Sequence, residues 1–549
     1  MATGYSLPDV NTVGGVAELR AGFEWRIPQT YNIAAEVLEW ADESGSRRAL
    51  IHVDDAEIEH EFDYTELAAA SERVAAALAA DGVSEGDRVV VCAPQSPETI
   101  VVHLAIYRLG AIVVPLSVLF GDETVSHVLE TSGATSAWLD TIAAERFADV
   151  LDSLDTVSTT VFELGADGYV GEGRALGGLR KHTGNEAIET IAETAPDDPA
   201  LFVNTSGTSG LPKCVVQSHQ YLVGTLPGYQ LWYELFDDSH DERVWTPASW
   251  AWAGALFDVL FPTLAMGGVV CSKVHRSGFD PRAALAYVDR VGVSRAFVPP
   301  TALRKIRRAA DPARFDLSSL DVVLCGGEYL AAELKKWGQN ALDTTVNVSY
   351  GLTEANALIG HCQALYPDRG DSIGVPYPGH DVAIVDEDGA RLPAGEIGEL
   401  ALEPPDPVLF RGYWREGAIE ESSGESLFYT GDRGYRDEDG YLYHEGHSDD
   451  VIVSLGYRVD PREIERVLGD DPRVREAIVG SVADDELGER IVAYIVPARR
   501  AGGRIESGPL ARRVRDALGK YKVPHEIHEL RNPPQTHSGK VDRERLFAD

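Results

Sequence analysis

Cysteine is rare in this chain of 549 residues, and its five copies are scattered. Cys92, Cys214, Cys271, Cys325 and Cys362 form no C-x-x-C pair and no cysteine–histidine cluster. A disulfide framework and a structural zinc site are therefore not expected. Small buried thiols in a reducing cytoplasm are. Uninterrupted long apolar runs are missing too. Ile100 to Phe120 comes nearest, but His103, Arg108, Gly110 and Pro115 break it. A buried helix followed by a buried strand is predicted there, not a membrane span. Met1 to Val10 has neither a basic nor an apolar signal region, so a cytoplasmic chain without stable membrane insertion is expected. Lysine is scarce, and arginine supplies most of the positive charge. With 88 acidic against 49 basic residues the formal charge is −39. Such a surface repels nucleic acid and anionic membranes. It suits molar salt, where screening removes self-repulsion, so a halophilic protein is expected. Nothing in the sequence speaks to oligomeric state.

What is present is an α/β pattern long enough for more than one domain. Thr65 to Ala80 reads as a helix, and Arg88 to Cys92 as a short strand. Val291 to Val298 and Leu320 to Leu324 are further strand candidates. Strands separated by helices imply mostly parallel sheets covered by helices. Val382 to Val385, a turn at Asp386 to Gly389, and Gly398 to Leu402 read instead as antiparallel strands, a small β-barrel-like subdomain. Glu163 to Gly184 is a glycine-rich connection. The texture changes at the polar, turn-like Gly446 to Asp450. Beyond it, strands at Val451 to Val453, Ala477 to Val482 and Ile491 to Val496, with helices at Pro461 to Leu468 and Leu510 to Leu518, outline a small α+β domain. The expected domains are thus residues 1–446 and 447–549.

Chemistry concentrates in five segments. Thr205, Ser206, Gly207, Thr208, Ser209, Gly210 and Lys213 follow the apolar Leu201-Phe202-Val203. The glycines let the backbone approach an anion, hydroxyls and N–H groups donate to it, and the lysine adds charge. This is the chemistry of a phosphate cradle without Walker spacing. The other segments are Cys325-Gly326-Gly327-Glu328, Ser349-Tyr350-Gly351-Leu352-Thr353-Glu354, Tyr429-Thr430-Gly431-Asp432 and Thr536-His537-Ser538-Gly539-Lys540.

In this order, the five segments resemble those of adenylate-forming enzymes: acyl-CoA synthetases, peptide-synthetase adenylation domains and luciferases. The resemblance runs from about Phe62 to the end. Trp250-Ala251-Trp252 brings it nearest to acyl-CoA synthetases of the medium-chain type. It implies ATP, Mg²⁺ and coenzyme A as cofactors, a carboxylic acid as substrate, and a small domain that rotates between two half-reactions. The loop from Thr205 to Lys213 would hold the β- and γ-phosphates. Thr353 would meet the α-phosphate, and Glu354 would give Mg²⁺ a hard oxygen. Tyr350 would stack on adenine, Gly326, Gly327 and Glu328 would line its edge, and Asp432 would accept from the ribose hydroxyls. Lys540 would bridge the substrate carboxylate and the α-phosphate as charge develops. Asp449 matches the hinge. Gly456, Tyr457 and Arg458 would face the CoA path, with Gly456 leaving room for pantetheine. One departure stands out: His447 occupies the place of the family's usual nucleotide-contacting arginine.

Gly351 stands where acetate- and propionate-specific relatives carry a tryptophan that shortens the pocket. An open floor is therefore expected, which Trp250, Trp252 and Phe257 either line or fill as an ordinary aromatic core cluster, and a medium-chain or aromatic acid fits an open one. The alternatives are a short-chain acetate or propionate ligase, an amino-acid-adenylating enzyme, a luciferase-like oxygenase, and a non-catalytic nucleotide binder. Asp258 lies too close to Pro262 to match the aspartate of amino-acid adenylation domains. Lys540 and Glu354 are both present, which argues against a non-catalytic relative.

Overall fold

The computed structural model describes residues 4–6, 15–41, 47–118, 120, 122–152, 157–164, 186–205, 213–237, 241–274, 279–421, 426–447, 452–454, 457–459, 461–484, 488–498, 505–518, 522–535 and 541–548. Contacts divide the chain into two units. Residues 1–382 with 403–428 form the first, and 383–402 with 429–549 the second. The boundary expected at 446/447 lies inside the second unit.

Among the described residues the first unit holds two large sheets. In the nine-stranded sheet six neighbouring strands run parallel: Thr345–Leu352, Val322–Gly326, Arg295–Phe297, Arg243–Trp245, Val269–Lys273 and Arg48–Val53. Antiparallel strands, Ala355–Gly360 and Glu59–Asp63, flank them on either side. The eight-stranded sheet has parallel Pro199–Thr205, Ile112–Pro115, Arg88–Cys92, Ser136–Asp140 and Ser158–Phe162, then turns antiparallel through Lys213–Ser218, Gly412–Arg415 and Ala418–Glu421. Parallel strands need helical crossovers, which explains the alternating pattern of the sequence.

Helix Tyr64–Ala80 starts where expected because Asp63 and Glu66 cap each other. Glu66 N donates to Asp63 Oδ1 at 2.7 Å, and Asp63 N donates to Glu66 Oε2 at 3.0 Å. Helix Pro97–Arg108 is buried at every position and leads into the fully buried strand Ile112–Pro115. The long apolar run is thus a helix and a strand. No helix among the described residues is long and apolar enough to cross a membrane. The strand expected to begin at Val291 begins at Arg295 instead. Val291 ends helix Pro281–Val291, because Gly292 turns left-handed at φ 68° and caps it.

The second unit contains a four-stranded sheet, Val382–Val385, Gly398–Leu402, Phe428–Arg436 and Leu442–His447. It also contains a sheet built on the long antiparallel pair Val474–Asp484 and Gly488–Pro497. Helices Pro461–Gly469 and Ser507–Leu518 cover that pair with Ile464, Leu468, Leu510 and Val514 in the core. All five cysteines are free and buried.

Candidate active site

The first motif closes a hairpin. Strands Pro199–Thr205 and Lys213–Ser218 pair with Thr205 opposite Lys213. Ser206, Gly207, Thr208, Ser209 and Gly210 lie between them, outside the described residues. Lys213 carries its ammonium 5.5 Å from the ring centre of Tyr413. The Tyr413 hydroxyl donates to Glu354 Oε1 at 2.8 Å. Burial, then the Glu354 charge, pushes the Tyr413 phenol above its ordinary range and keeps the donor protonated. One aromatic side chain therefore links the lysine of the first motif to the carboxylate of the third. The following thiol, Cys214, is buried, and burial pushes it up to about 12.

Ser349 to Leu352 end a parallel strand, and Thr353 and Glu354 turn the chain into Ala355–Gly360. Two bonds fix that turn: Gln217 Nε2 donates to the Thr353 carbonyl at 2.6 Å, and Phe410 N donates to the Glu354 carbonyl at 2.8 Å. All residues from Val348 to Glu354 are half-buried. They form an open edge at the carboxyl end of the sheet, where ligands of open α/β sheets bind. Glu354 is a half-buried carboxylate with one oxygen held by a phenol donor. That arrangement suits a hard-oxygen ligand for Mg²⁺.

Gly326 lies beside this edge. A Cβ placed on it would be 3.0 Å from the Ser349 carbonyl oxygen, and Gly327 sits at φ 76°. Both positions need glycine for these reasons. The carboxylate of Glu328 is engaged locally: Thr301 Oγ1 and Arg304 Nη2 each donate to its Oε2 at 2.7 Å.

In the second unit Asp432 is buried and accepts from His444 Nε2 at 2.7 Å. His444 Nδ1 in turn meets Arg462 Nη1 at 2.7 Å. Since guanidinium only donates, Nδ1 is the acceptor and Nε2 carries the proton toward Asp432. Sequence reading missed His444 and Arg462, because no motif spacing marks either. The backbone of His447 pairs directly opposite Asp432. Tyr457 and Arg458 pair opposite Ser454 and Val453. Gly456, Asp449 and Lys540 lie outside the described residues. Gln535 bridges to Val541, and Arg543 Nη1 donates to the Val479 carbonyl at 2.7 Å.

The residues expected at the acyl pocket lie close-packed. Trp250 and Phe257 are sealed in the core, with the Phe257 ring centre 4.5 Å from that of Tyr221. Trp252 is half-buried and packs edge-on against Phe120. Gly351 leaves no void, because a Cβ there would lie 2.7 Å from Ala357 N and 3.0 Å from Asn356 Cα. The opposing backbone fills the space, helped by an irregular register between Tyr350 and Leu352 and by Ala357 at φ 56°.

The sequence profile of the AMP-binding enzyme family matches residues 37–414, and that of the AMP-binding enzyme C-terminal domain matches 463–540. The chain belongs to the AMP-binding enzyme family. Its relatives include an uncharacterized acyl–CoA ligase of Bacillus subtilis, 29% identical, with 94% of this chain and 96% of that protein covered. The 4-hydroxybutyrate–CoA ligase 1 of Metallosphaera sedula is 30% identical over 92% of this chain and 87% of its own. Human mitochondrial acyl-coenzyme A synthetase ACSM3 is 27% identical over 96% and 91%. Among solved structures, a Brucella canis acyl-CoA synthetase superposes with TM-score 0.71 at 28% identity, covering 94% of each chain. ATP-bound MatB from Rhodopseudomonas palustris superposes with TM-score 0.80 at 25% identity, covering 94% of this chain and 98% of its own. The α/β architecture of this AMP-binding enzyme is thus that of acyl-CoA ligases.

Proposed function

We propose that this AMP-binding enzyme is an acid–CoA ligase working in two half-reactions. A carboxylic acid and ATP give acyl-AMP and pyrophosphate, and acyl-AMP and CoA then give acyl-CoA and AMP. The observation that carries the reading is the Lys213–Tyr413–Glu354 cluster. It joins a cation and a hard-oxygen carboxylate where a triphosphate needs both. Lys213 and the hairpin loop from Thr205 hold the β- and γ-phosphates, and Thr353 meets the α-phosphate. Mg²⁺ held by Glu354 would neutralise phosphate charge. Tyr350 stacks on adenine beside Gly326 and Gly327, and Asp432, oriented by His444, takes the ribose. The large domain runs to residue 446 and the small one from 447. The small domain brings Lys540 to the acyl carboxylate, and rotation about Asp449 then opens the path along Gly456, Tyr457 and Arg458 to the CoA thiol.

The acid is read as larger than propionate, medium-chain or aromatic, and the Trp250-Ala251-Trp252 resemblance to medium-chain acyl-CoA synthetases supports that. A short-chain acid is the second reading, favoured by the 29% identity to a Bacillus subtilis acetyl-coenzyme A synthetase. The test is AMP release with and without CoA in molar KCl, across acetate, butyrate, hexanoate, octanoate and benzoate. CoA-dependent release peaking above propionate is expected. Lys540→Ala should abolish release from acid and ATP, yet still form thioester from supplied acyl-adenylate. Surviving activity with acid and ATP would remove Lys540 from this role.

A further inference from the structure

The segment from Ala253 to Leu260 is sealed at Ala253, Ala255, Leu256, Phe257, Val259 and Leu260, but Gly254 and Asp258 are half-buried. Four residues apart, they share one face. Asn356, also half-buried and two residues past Glu354, donates Nδ2 to Asp258 Oδ1 at 2.6 Å. A Cβ on Gly254 would lie 3.0 Å from Asp258 Oδ2 and 3.8 Å from the Phe297 ring. The bare glycine therefore leaves that oxygen uncovered. A Cβ on Gly326 would lie 3.5 Å from the same ring. The Asp258 face is thus the neighbour of the glycine motif across one phenylalanine. Leu256–Leu260 is a π-helical turn, and the Tyr233 hydroxyl donates to the Asp258 carbonyl at 3.3 Å. Such turns gather at functional sites.

A carboxyl in this setting is expensive. Burial pushes Asp258 up to about 7, against the lowering effect of the Asn356 bond. One carboxamide donor does not satisfy a carboxylate, which accepts at both oxygens. We propose that Asp258 and Asn356 form a polar subsite for the acyl chain, selecting acids that carry a hydrogen-bond donor, a hydroxyl or an amine. The subsite rests on the acid–CoA ligase reading and narrows its substrate class. Asp258 Oδ2 accepts from the substrate's donor, while Asn356 fixes the carboxyl plane.

The test uses the full chain in molar KCl and reads kcat/KM for AMP release in matched sets. These are butyrate with 4-hydroxybutyrate and 4-aminobutyrate, and hexanoate with 6-hydroxyhexanoate and 6-aminohexanoate. In at least one set a donor-bearing acid should exceed its plain partner by about tenfold or more. That ratio should fall toward one in Asp258→Leu, which removes the acceptor, and in Gly254→Ala, which covers Oδ2 and keeps every polar group. Each ratio is taken within one variant, so partial loss of folded protein cancels. A preference for the amine alone supports the subsite and names its donor. Plain acids winning every set, or a ratio unmoved in both variants, overturns the subsite while AMP release from plain acids keeps the ligase. AMP release from no acid overturns both.

Discussion

Tyr413 holds the first and third motifs together, and nothing in the sequence around it announces that. Its hydroxyl bonds a charged oxygen of Glu354, and its ring faces Lys213. A hydrogen bond to a charged group contributes about 1.5–3 kcal/mol. Tyr413→Phe should therefore lower kcat for AMP release by roughly ten- to a hundredfold, since RT sets about 1.4 kcal/mol per decade. The chain should stay folded, because Tyr413 is only half-buried. An unchanged kcat would mean that Glu354 needs no positioning by the phenol. The motif residues Lys213, Glu354 and Asp432 were legible because their chemistry is local. Tyr413, His444 and Arg462 were not, because each acts through a partner that only strand pairing or packing within its unit makes a neighbour.

At the scale of elements, the hairpin around Glu354 shows how a side-chain argument fails against backbone. Gly351 suggested spare volume, but strand Ala355–Gly360 crosses close enough to occupy it. Gly351→Ala should accordingly act as overpacking, costing about 1–3 kcal/mol. The expected outcome is a lower urea midpoint. An unchanged midpoint would mean that the opposing strand yields freely. Elements themselves were largely readable. The capping box of helix Tyr64–Ala80 and the apolar run of strand Arg88–Cys92 are written in consecutive residues. The Arg295–Phe297 strand starts later than Val291, because the valines at 291 and 293 flank Gly292, and periodicity does not show that this glycine turns left-handed and ends a helix there.

For the whole molecule, buried titratable groups set the response to pH. Burial pushes His52, His103 and His219 down to about 3, and pushes Glu36 and Asp258 up to about 8 and about 7. Below their ordinary value of 6.5 the unfolded histidines bind protons that the folded ones refuse, so their effect on stability rises with pH up to 6.5. The two carboxyls act oppositely, keeping protons in the fold from their ordinary values of 4.5 and 3.8 upward. Burial pushes His361 down as well and Glu465 up, and the histidines still outnumber the carboxyls, so stability rises between roughly pH 4.5 and 6.5. Above 6.5 only the carboxyls change, and stability declines through about 7 and about 8. The urea midpoint at fixed molar KCl should therefore peak near pH 6.5. A midpoint still climbing from pH 6.5 to 8 would show that these groups do not govern it. At neutral pH, lowering the salt should depress the midpoint, because a charge of −39 then repels itself unscreened.

The sequence by itself determined the family, the alternation of helix and strand, and the residue types that meet a nucleotide. Those signals are short, ordered and local: glycines, hydroxyls and single charges in consecutive positions. Tertiary structure alone decided which side chains position the motif residues, whether the space at Gly351 is empty, and that Asp258 meets Asn356. Each of these depends on distance between segments that the chain order separates, Asp258 and Asn356 by 98 residues. Volume and hydrogen bonding are settled by what packs opposite, and a list of residues carries no opposite side.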